Sequence, residues 1–584
     1  MPSPVRRLLV LAASLAVALP TALAVAPAAL AAPPPTNTRV AGIDVDATTI
    51  PQLESLMSHH RLTSVQLVQF YVHRINRLNP KLHAVITLSP TALADARAAD
   101  KARRQGDHRP LLGIPIIVKD NVDTTGMPTT AGSWALAGST PSDAFIAARL
   151  KSAGALIIGK ANLSEWANFR SNPSSSGWSG IGDQTNMAYV LDRNPCGSSS
   201  GSGVVASADL AVAAVGTETD GSIVCPSGAN GDVGIKPTLG LWSRAGVVPI
   251  SANQDTAGPI ARNVTDAAVL LGAATGVDPN DGATAAQSGH AFSDYTQFLD
   301  SHALSGKRIG VWRDGAFEFD GEAVDPAVSA IMDQTIATLR AQGATVIDST
   351  DILPNTDATG AIYGAEFAAL LCEFKSDVAS YLHAHTGAGY PKTLEDLIDF
   401  NNAHPELESG APISNWNSAI FDLAQATGGR DADCAEQRAA ATPAVQDAIN
   451  GLMATQHLDA IISPTNSPAW VTDPVKGDLG GDFSKFIGSS AAAAISGYAD
   501  ITVPAGYVGH LPVGVTFIGG RWDEPNLISL AYAFEQATHV RVPPTFLSTE
   551  SASGAAGSKG SAGDRPRHGA APTRSGHWRM PALR

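Results

Sequence analysis

The sequence predicts an α/β fold, and two observations carry that prediction. Short, apolar, β-branched runs of the kind that form strands buried on both faces recur along the chain, and helical patterns lie between them. One such run, residues 111–118, ends on Lys119, and another, residues 155–159, follows a helical stretch around residues 147–150. Alternation of this kind builds a sheet with helices packed against it.

Taken in order, the chain opens with Arg6 and Arg7, and no charged residue then appears before Arg39. The apolar run from Leu8 closes on Ala29-Leu30-Ala31, small residues suited to a signal peptidase. Residues 1–31 are therefore read as a signal peptide, and the mature protein is expected to be secreted or otherwise extracytoplasmic, without stable membrane insertion. Residues 32–47, opened by Pro33-Pro34-Pro35, are expected to form an extended linker before a main domain of residues 48–542. Apolar residues at helical spacing from Ile50 to Tyr71 predict an N-terminal helical layer. Residues 210–215 read as a buried strand. Residues 278–456 read as mostly helical, with strand candidates at 308–312 and 344–347, and are expected to shape access to whatever site the sheet carries. Strands are expected again at 458–464 and 501–504, and a closing helix at 527–537. Residues 543–584 are read as a basic tail: from Ser551 onward Gly, Ala and Ser dominate, with too little apolar surface to order the segment.

Composition narrows the function classes. The 584 residues carry 39 Lys and Arg against 54 Asp and Glu, a net charge of −15, which opposes general binding to nucleic-acid phosphates. Cys196, Cys225, Cys372 and Cys434 permit three complete pairings, and spacing does not choose among them; free buried thiols are the competing reading for at least two. The His59-His60 pair has no nearby cysteine partners, so no metal site and no cofactor are expected.

The block from Asn194 to Thr238 carries the chemistry. It holds the glycine-serine run Gly197-Ser198-Ser199-Ser200-Gly201-Ser202-Gly203 and, after the strand candidate, Gly216-Thr217-Glu218-Thr219-Asp220-Gly221-Ser222-Ile223. A tight turn at the second serine would expose Ser222 and point successive backbone N–H groups of Thr219, Asp220, Gly221 and Ser222 into one concavity, where an oxyanion could sit. Two rival readings of the first run compete. Gly197-Ser198-Ser199-Ser200-Gly201 matches a nucleophile elbow with Ser199 as nucleophile, and Gly201, Gly203 and Ala206 mimic a dinucleotide-binding fingerprint; both need a buried strand immediately before them, where the chain has Leu191-Asp192-Arg193-Asn194-Pro195.

With Lys119-Asp120-Asn121 at a strand end, Gly221-Ser222-Ile223, Gly234-Ile235-Lys236-Pro237-Thr238 and Asp255-Thr256-Ala257-Gly258-Pro259 in this order, the chain resembles the amidase signature family. The resemblance runs from roughly Thr48 to Val542. It implies a single large domain with a mixed central sheet covered by helices on both faces. It implies hydrolysis of a carboxamide, with Ser222 as nucleophile and Ser198, across a cis peptide, passing a proton to Lys119. A lysine serves as base only if its surroundings hold it neutral; the competing reading is a charged lysine paired with Asp120 or Asp123. Two departures bear on substrate. Asp220 stands where many members have glycine, either to orient the turn or to meet a polar substrate group, and Val224 stands where many have an arginine, which in some members meets a substrate carboxylate. The stretch from Gly216 to Pro226 and Trp166-Ala167-Asn168-Phe169-Arg170 are similar to bacterial peptide amidases, which implies a small-molecule or peptide amide as substrate and a packed, neutral thiol at Cys225. A non-catalytic binding protein on the same fold is the alternative from another class.

Overall fold

The computed structural model describes residues 36–409 and 416–550. The expected signal peptide and the tail from Ser551 lie outside the described residues. An eleven-stranded sheet runs through the molecule. In chain order its strands are β1 (Val85–Leu88), β2 (Pro115–Lys119), β3 (Leu156–Ala161), β4 (Ala213–Glu218), β5 (Val233–Lys236), β6 (Thr256–Ala261), β7 (Arg308–Val311), β8 (Thr345–Ile347), β9 (Ala460–Pro464), β10 (Asp500–Val508) and β11 (Leu511–Ile518). In space they run β8-β7-β9-β11-β10-β5-β6-β4-β2-β3-β1. The pairs β8/β7, β7/β9, β4/β2 and β2/β3 are parallel and the remaining pairs antiparallel, so the sheet is mixed.

Every residue of β2, β3 and β4 is buried. Successive side chains of a strand point to opposite faces, so these strands are covered on both sides. That is why the sequence shows them as continuous apolar runs rather than alternating ones. The N-terminal helical pattern divides into helices Ile50–Ser58 and Ser64–Leu82, because Thr63 caps the second: its side chain accepts from the Gln66 N–H and Gln66 returns a bond to the Thr63 N–H at 3.0 Å.

The segment expected to be a linker does more than span. Arg39–Val40 pairs with Ile43–Asp44 as a small ribbon, and the buried Asp46 accepts from Arg541 at 2.9 and 3.0 Å. Burial raises the Asp46 carboxyl, but Arg541, Arg262 and Arg74 together hold it below the usual carboxylate range. At the other end the chain packs on past Val542, where Leu547 bonds to Tyr189 and Leu191 at 3.1 and 2.8 Å.

The middle of the chain is mainly helical, with helices Pro326–Ala341, Asp357–His385, Leu394–Ala403, Ala419–Gln425 and Ala432–Gln456. A disulfide from Cys372 to Cys434 joins the two longest of them. Phe374, Phe421 and Leu397 from these helices form a second apolar cluster with Leu136, Trp166 and Ile250.

Candidate active site

The parallel strands β2 and β4 lie side by side and deliver Lys119 and Thr217 to the same end of the sheet. Immediately after β4 the chain reverses at Gly221, whose φ of +80° is a conformation that L side chains rarely adopt. Helix Val224–Ala229 follows. A helix start leaves backbone N–H groups without partners, and here Glu218 supplies one: its carboxylate accepts from Ile223 N–H at 2.7 Å and Val224 N–H at 3.0 Å. Ser222 is thereby fixed at the mouth of the turn, 8% exposed.

The glycine-serine run lies against this turn. The Gly197–Ser198 peptide is cis. The Ser198 carbonyl accepts from Ser164 N–H at 3.0 Å, and Ser199 N–H donates to the Ser222 carbonyl at 3.1 Å, so the two serine segments are joined backbone to backbone. Lys119 Nζ stands 2.8 Å from Ser198 Oγ, 2.9 Å from Thr217 Oγ1 and 3.3 Å from the Thr217 carbonyl. Asn121 Nδ2 also donates to Thr217 Oγ1, at 2.9 Å.

Lys119 is fully buried, and the loss of hydration brings its ammonium down to about 7, only partly offset by the more distant Asp255 and Glu218. Neither neighbouring aspartate pairs with it. Asp120 faces Lys160 at 3.3 Å and also takes the Thr130 hydroxyl; Asp123 accepts from Tyr381 Oη at 2.6 Å, and its other oxygen lies 2.8 Å from His385 Nδ1. The ion-paired reading of Lys119 is therefore not the one the geometry supports.

Among the described residues, no protein group accepts from the N–H groups of Thr219, Asp220, Gly221 or Ser222, which leaves four adjacent donors at the turn. Side chains brace the loop from outside. Thr219 Oγ1 donates to Asp255 at 2.6 Å, and Gln254 Nε2 donates to the Thr219 carbonyl at 3.0 Å and to Glu366 at 2.6 Å. The Asp220 carboxylate accepts from Ser490 Oγ at 2.5 Å, and burial raises it to about 6. Of the two roles left open for Asp220, this contact favours orienting the turn.

Other expectations need correcting. Cys225 is no free thiol: it is bonded to Cys196, because the chain reversal at Gly221 folds residues 29 apart in sequence to a Cα separation of 6.0 Å. Ser199 is no elbow nucleophile. It is fully buried at the start of helix Ser200–Ser207, donating to the Thr217 carbonyl at 3.0 Å and accepting from the Thr217 N–H at 3.1 Å. Gly201 serves close packing, since a Cβ there would come within 2.5 Å of the Ala84 and Asn162 carbonyls. Arg170 is structural, paired with the buried Glu165 and Glu408. Thr217, Glu218, Asp255 and Ser490 are site residues that sequence reasoning misses. The first three lie inside the motifs quoted above, where their register against Lys119 and the turn points to them, whereas nothing in the sequence marks Ser490.

Comparison with known proteins gives the family. The Amidase family model matches residues 66–528. A probable amidase of Arabidopsis thaliana is 41% identical over 511 residues, 86% of this chain and 92% of its own length. Among solved structures, the native peptide amidase from Stenotrophomonas maltophilia superposes with a TM-score of 0.78 at 43% identity, covering 86% of this chain and 99% of that one. An amidase family protein from Bacillus anthracis superposes with a TM-score of 0.75 at 31% identity, covering 86% of this chain and 92% of that one. With strands, turn and serine run placed as described and a family model matched across most of its length, the chain belongs to the amidase family.

Proposed function

We propose that this protein is an exported amidase that hydrolyses carboxamide bonds through an acyl-enzyme on Ser222. The observation that carries the reading is the environment of Lys119. As a neutral amine, Nζ has two N–H donors and one lone pair. Thr217 offers two acceptors, its hydroxyl and its carbonyl, and the lone pair is left for the Ser198 hydroxyl at 2.8 Å. Ser198 then gives its proton to Lys119 and takes one from Ser222, whose oxygen attacks the substrate carbonyl. The N–H groups of Asp220, Gly221 and Ser222, with Thr219 beside them, stabilise the oxyanion. The relay returns the proton to the departing nitrogen, and water repeats the sequence to free the acid. Peptide C-terminal amides and related neutral amides are the proposed substrates. Two features support that choice: the 43% identity to a peptide amidase, and Val224, which leaves the position free of a cation for an acidic substrate. Export is supported by the two disulfides, which persist in oxidising compartments.

The test is ammonia and amine release from a panel of peptide amides, anilides and short aliphatic amides. Ammonia from peptide amides is expected. Ser222→Ala should lose nearly all turnover and Ser198→Ala about 10²-fold or more, both with the fold retained. A folded Ser222→Ala enzyme at the wild-type rate removes the proposed nucleophile. For export, N-terminal sequencing of the secreted protein should find a start near Ala32; an intact Met1 overturns it.

A further inference from the structure

We propose that the Cys196–Cys225 disulfide is a positioning element of this site, holding the relay serine in register with the nucleophile. The inference rests on the roles just given to Ser198 and Ser222. Cys196 lies just before the Gly197–Ser198 peptide, and Cys225 lies one helical turn after Ser222. The bond therefore joins the two short segments that carry the two serines. The pairs Cys196–Cys225 and Ser199–Ser222 run in opposite chain directions, so they form two rungs of one ladder: the disulfide and the Ser199 N–H to Ser222 carbonyl bond of 3.1 Å. Ser198 sits on the span between the rungs.

Each cysteine is also anchored within its own segment. Cys196 N–H donates to Asn194 Oδ1 at 2.9 Å, its carbonyl accepts from Ser200 Oγ at 2.6 Å, and Cys225 N–H donates to the Gly221 carbonyl at 2.8 Å. These bonds transmit the position of the sulfurs to the neighbouring serines. Apart from the two rungs, the segments are bridged by Asn230, whose Nδ2 donates to the Pro195 and Pro226 carbonyls at 3.0 and 2.8 Å. Both half-cystines are buried, with Ala229 beside them and Trp470 packed against them. A relay that passes a proton between two hydroxyls tolerates little slack, because small misplacements of reacting groups carry large rate penalties. The second disulfide, Cys372–Cys434, links two long helices and neither serine segment, so it makes a control.

The experiment compares Cys196→Ser/Cys225→Ser with Cys372→Ser/Cys434→Ser, reading kcat and KM on a peptide amide and the rate at which a fluorophosphonate labels Ser222. The first variant is expected to lose kcat and labelling rate by about 10-fold or more, with KM changed by less than about 2-fold and its circular dichroism unchanged. The control is expected to keep kcat and labelling and to lose only thermal stability. A folded Cys196→Ser/Cys225→Ser enzyme with wild-type kcat overturns the inference. If that variant does not fold, the Cys372→Ser/Cys434→Ser enzyme is treated with a dithiol, which gives two electrons and two protons to the remaining S–S bond and closes to its own cyclic disulfide. Activity should then fall in step with the appearance of two thiols and return with oxidised glutathione; full activity with both thiols free overturns the inference. Wild-type enzyme that turns over substrate without any labelling at Ser222 removes instead the reading on which it rests.

Discussion

At Lys119 the ordinary preference of an ammonium group for water is overruled by position. The apolar run that makes β2 a fully buried strand is the same feature that strips the lysine of hydration and brings it down to about 7. In the proposed mechanism kcat/KM should rise with pH through about 7, and Lys119→Arg should be inactive, since a guanidinium holds its proton. Stability gives an independent readout. The unfolded lysine keeps its proton to about pH 10, so between roughly pH 7 and 10 the unfolded chain binds more protons than the folded one and stability rises with pH. Urea midpoints of wild type and Lys119→Met should therefore differ most in the variant's favour near pH 6, with the lysine's penalty fading towards pH 10. A difference that stays constant with pH means the folded lysine is not depressed.

Among the elements, those legible in the sequence are the ones whose burial is written as a short, largely apolar run. The runs at 308–312 and 458–464 contain observed strands, and those at 111–118, 155–159 and 210–215 overlap β2, β3 and β4. β5, β6 and β11 are not among the strands read from the sequence, and Gly234, Gly258, Pro512 and Gly514 interrupt them as Gly310 interrupts β7. The reason for one interruption is visible: a Cβ at Gly258 would stand 2.1 Å from the Ile235 carbonyl, so β5 and β6 approach too closely for a side chain. The site divides the same way. Lys119, Ser198 and Ser222 belong to local motifs, whereas Ser490 reaches Asp220 from 270 residues away and leaves no pattern. The long helices follow a third rule, that of paired charge. Glu373 on helix Asp357–His385 is buried, and burial raises its carboxyl, but bonds from Arg438 of helix Ala432–Gln456, at 2.6 and 3.1 Å, hold it below its usual range. Arg438→Met leaves that carboxylate with the Ser251 hydroxyl, the Asn253 amide and Arg430 at 4.0 Å, and the loss of its charged hydrogen bonds should cost about 1.5–3 kcal/mol in urea unfolding near pH 7. Because the folded pKa is depressed, this contribution is present above about pH 4.3 and fades as acid protonates Glu373. A loss under about 0.5 kcal/mol, the level of a surface substitution, counts against the pair.

At the scale of the whole molecule, the ion pair between Asp46 and Arg541 ties the start of the described chain to its end. The sheet repeats this closure on a larger scale, since its strands are not laid down in the order in which they pair. β10 and β11 are the last strands in the chain, yet they stand in the interior of the sheet, between β5 on one side and β9 on the other. Everything earlier consists of two unjoined halves, β1 to β6 and β7 to β9. A growing polypeptide consequently has no continuous sheet to settle into until residue 518 has left the ribosome, and such long-range pairing is slow to form. Ribosome-stalled chains ending at residue 499 should stay sensitive to protease across the Lys119 region, and chains extended to residue 550 with a spacer should become resistant; equal resistance in both would show that the halves fold alone. The timing of this enzyme's assembly is thus set by where its final hairpin inserts.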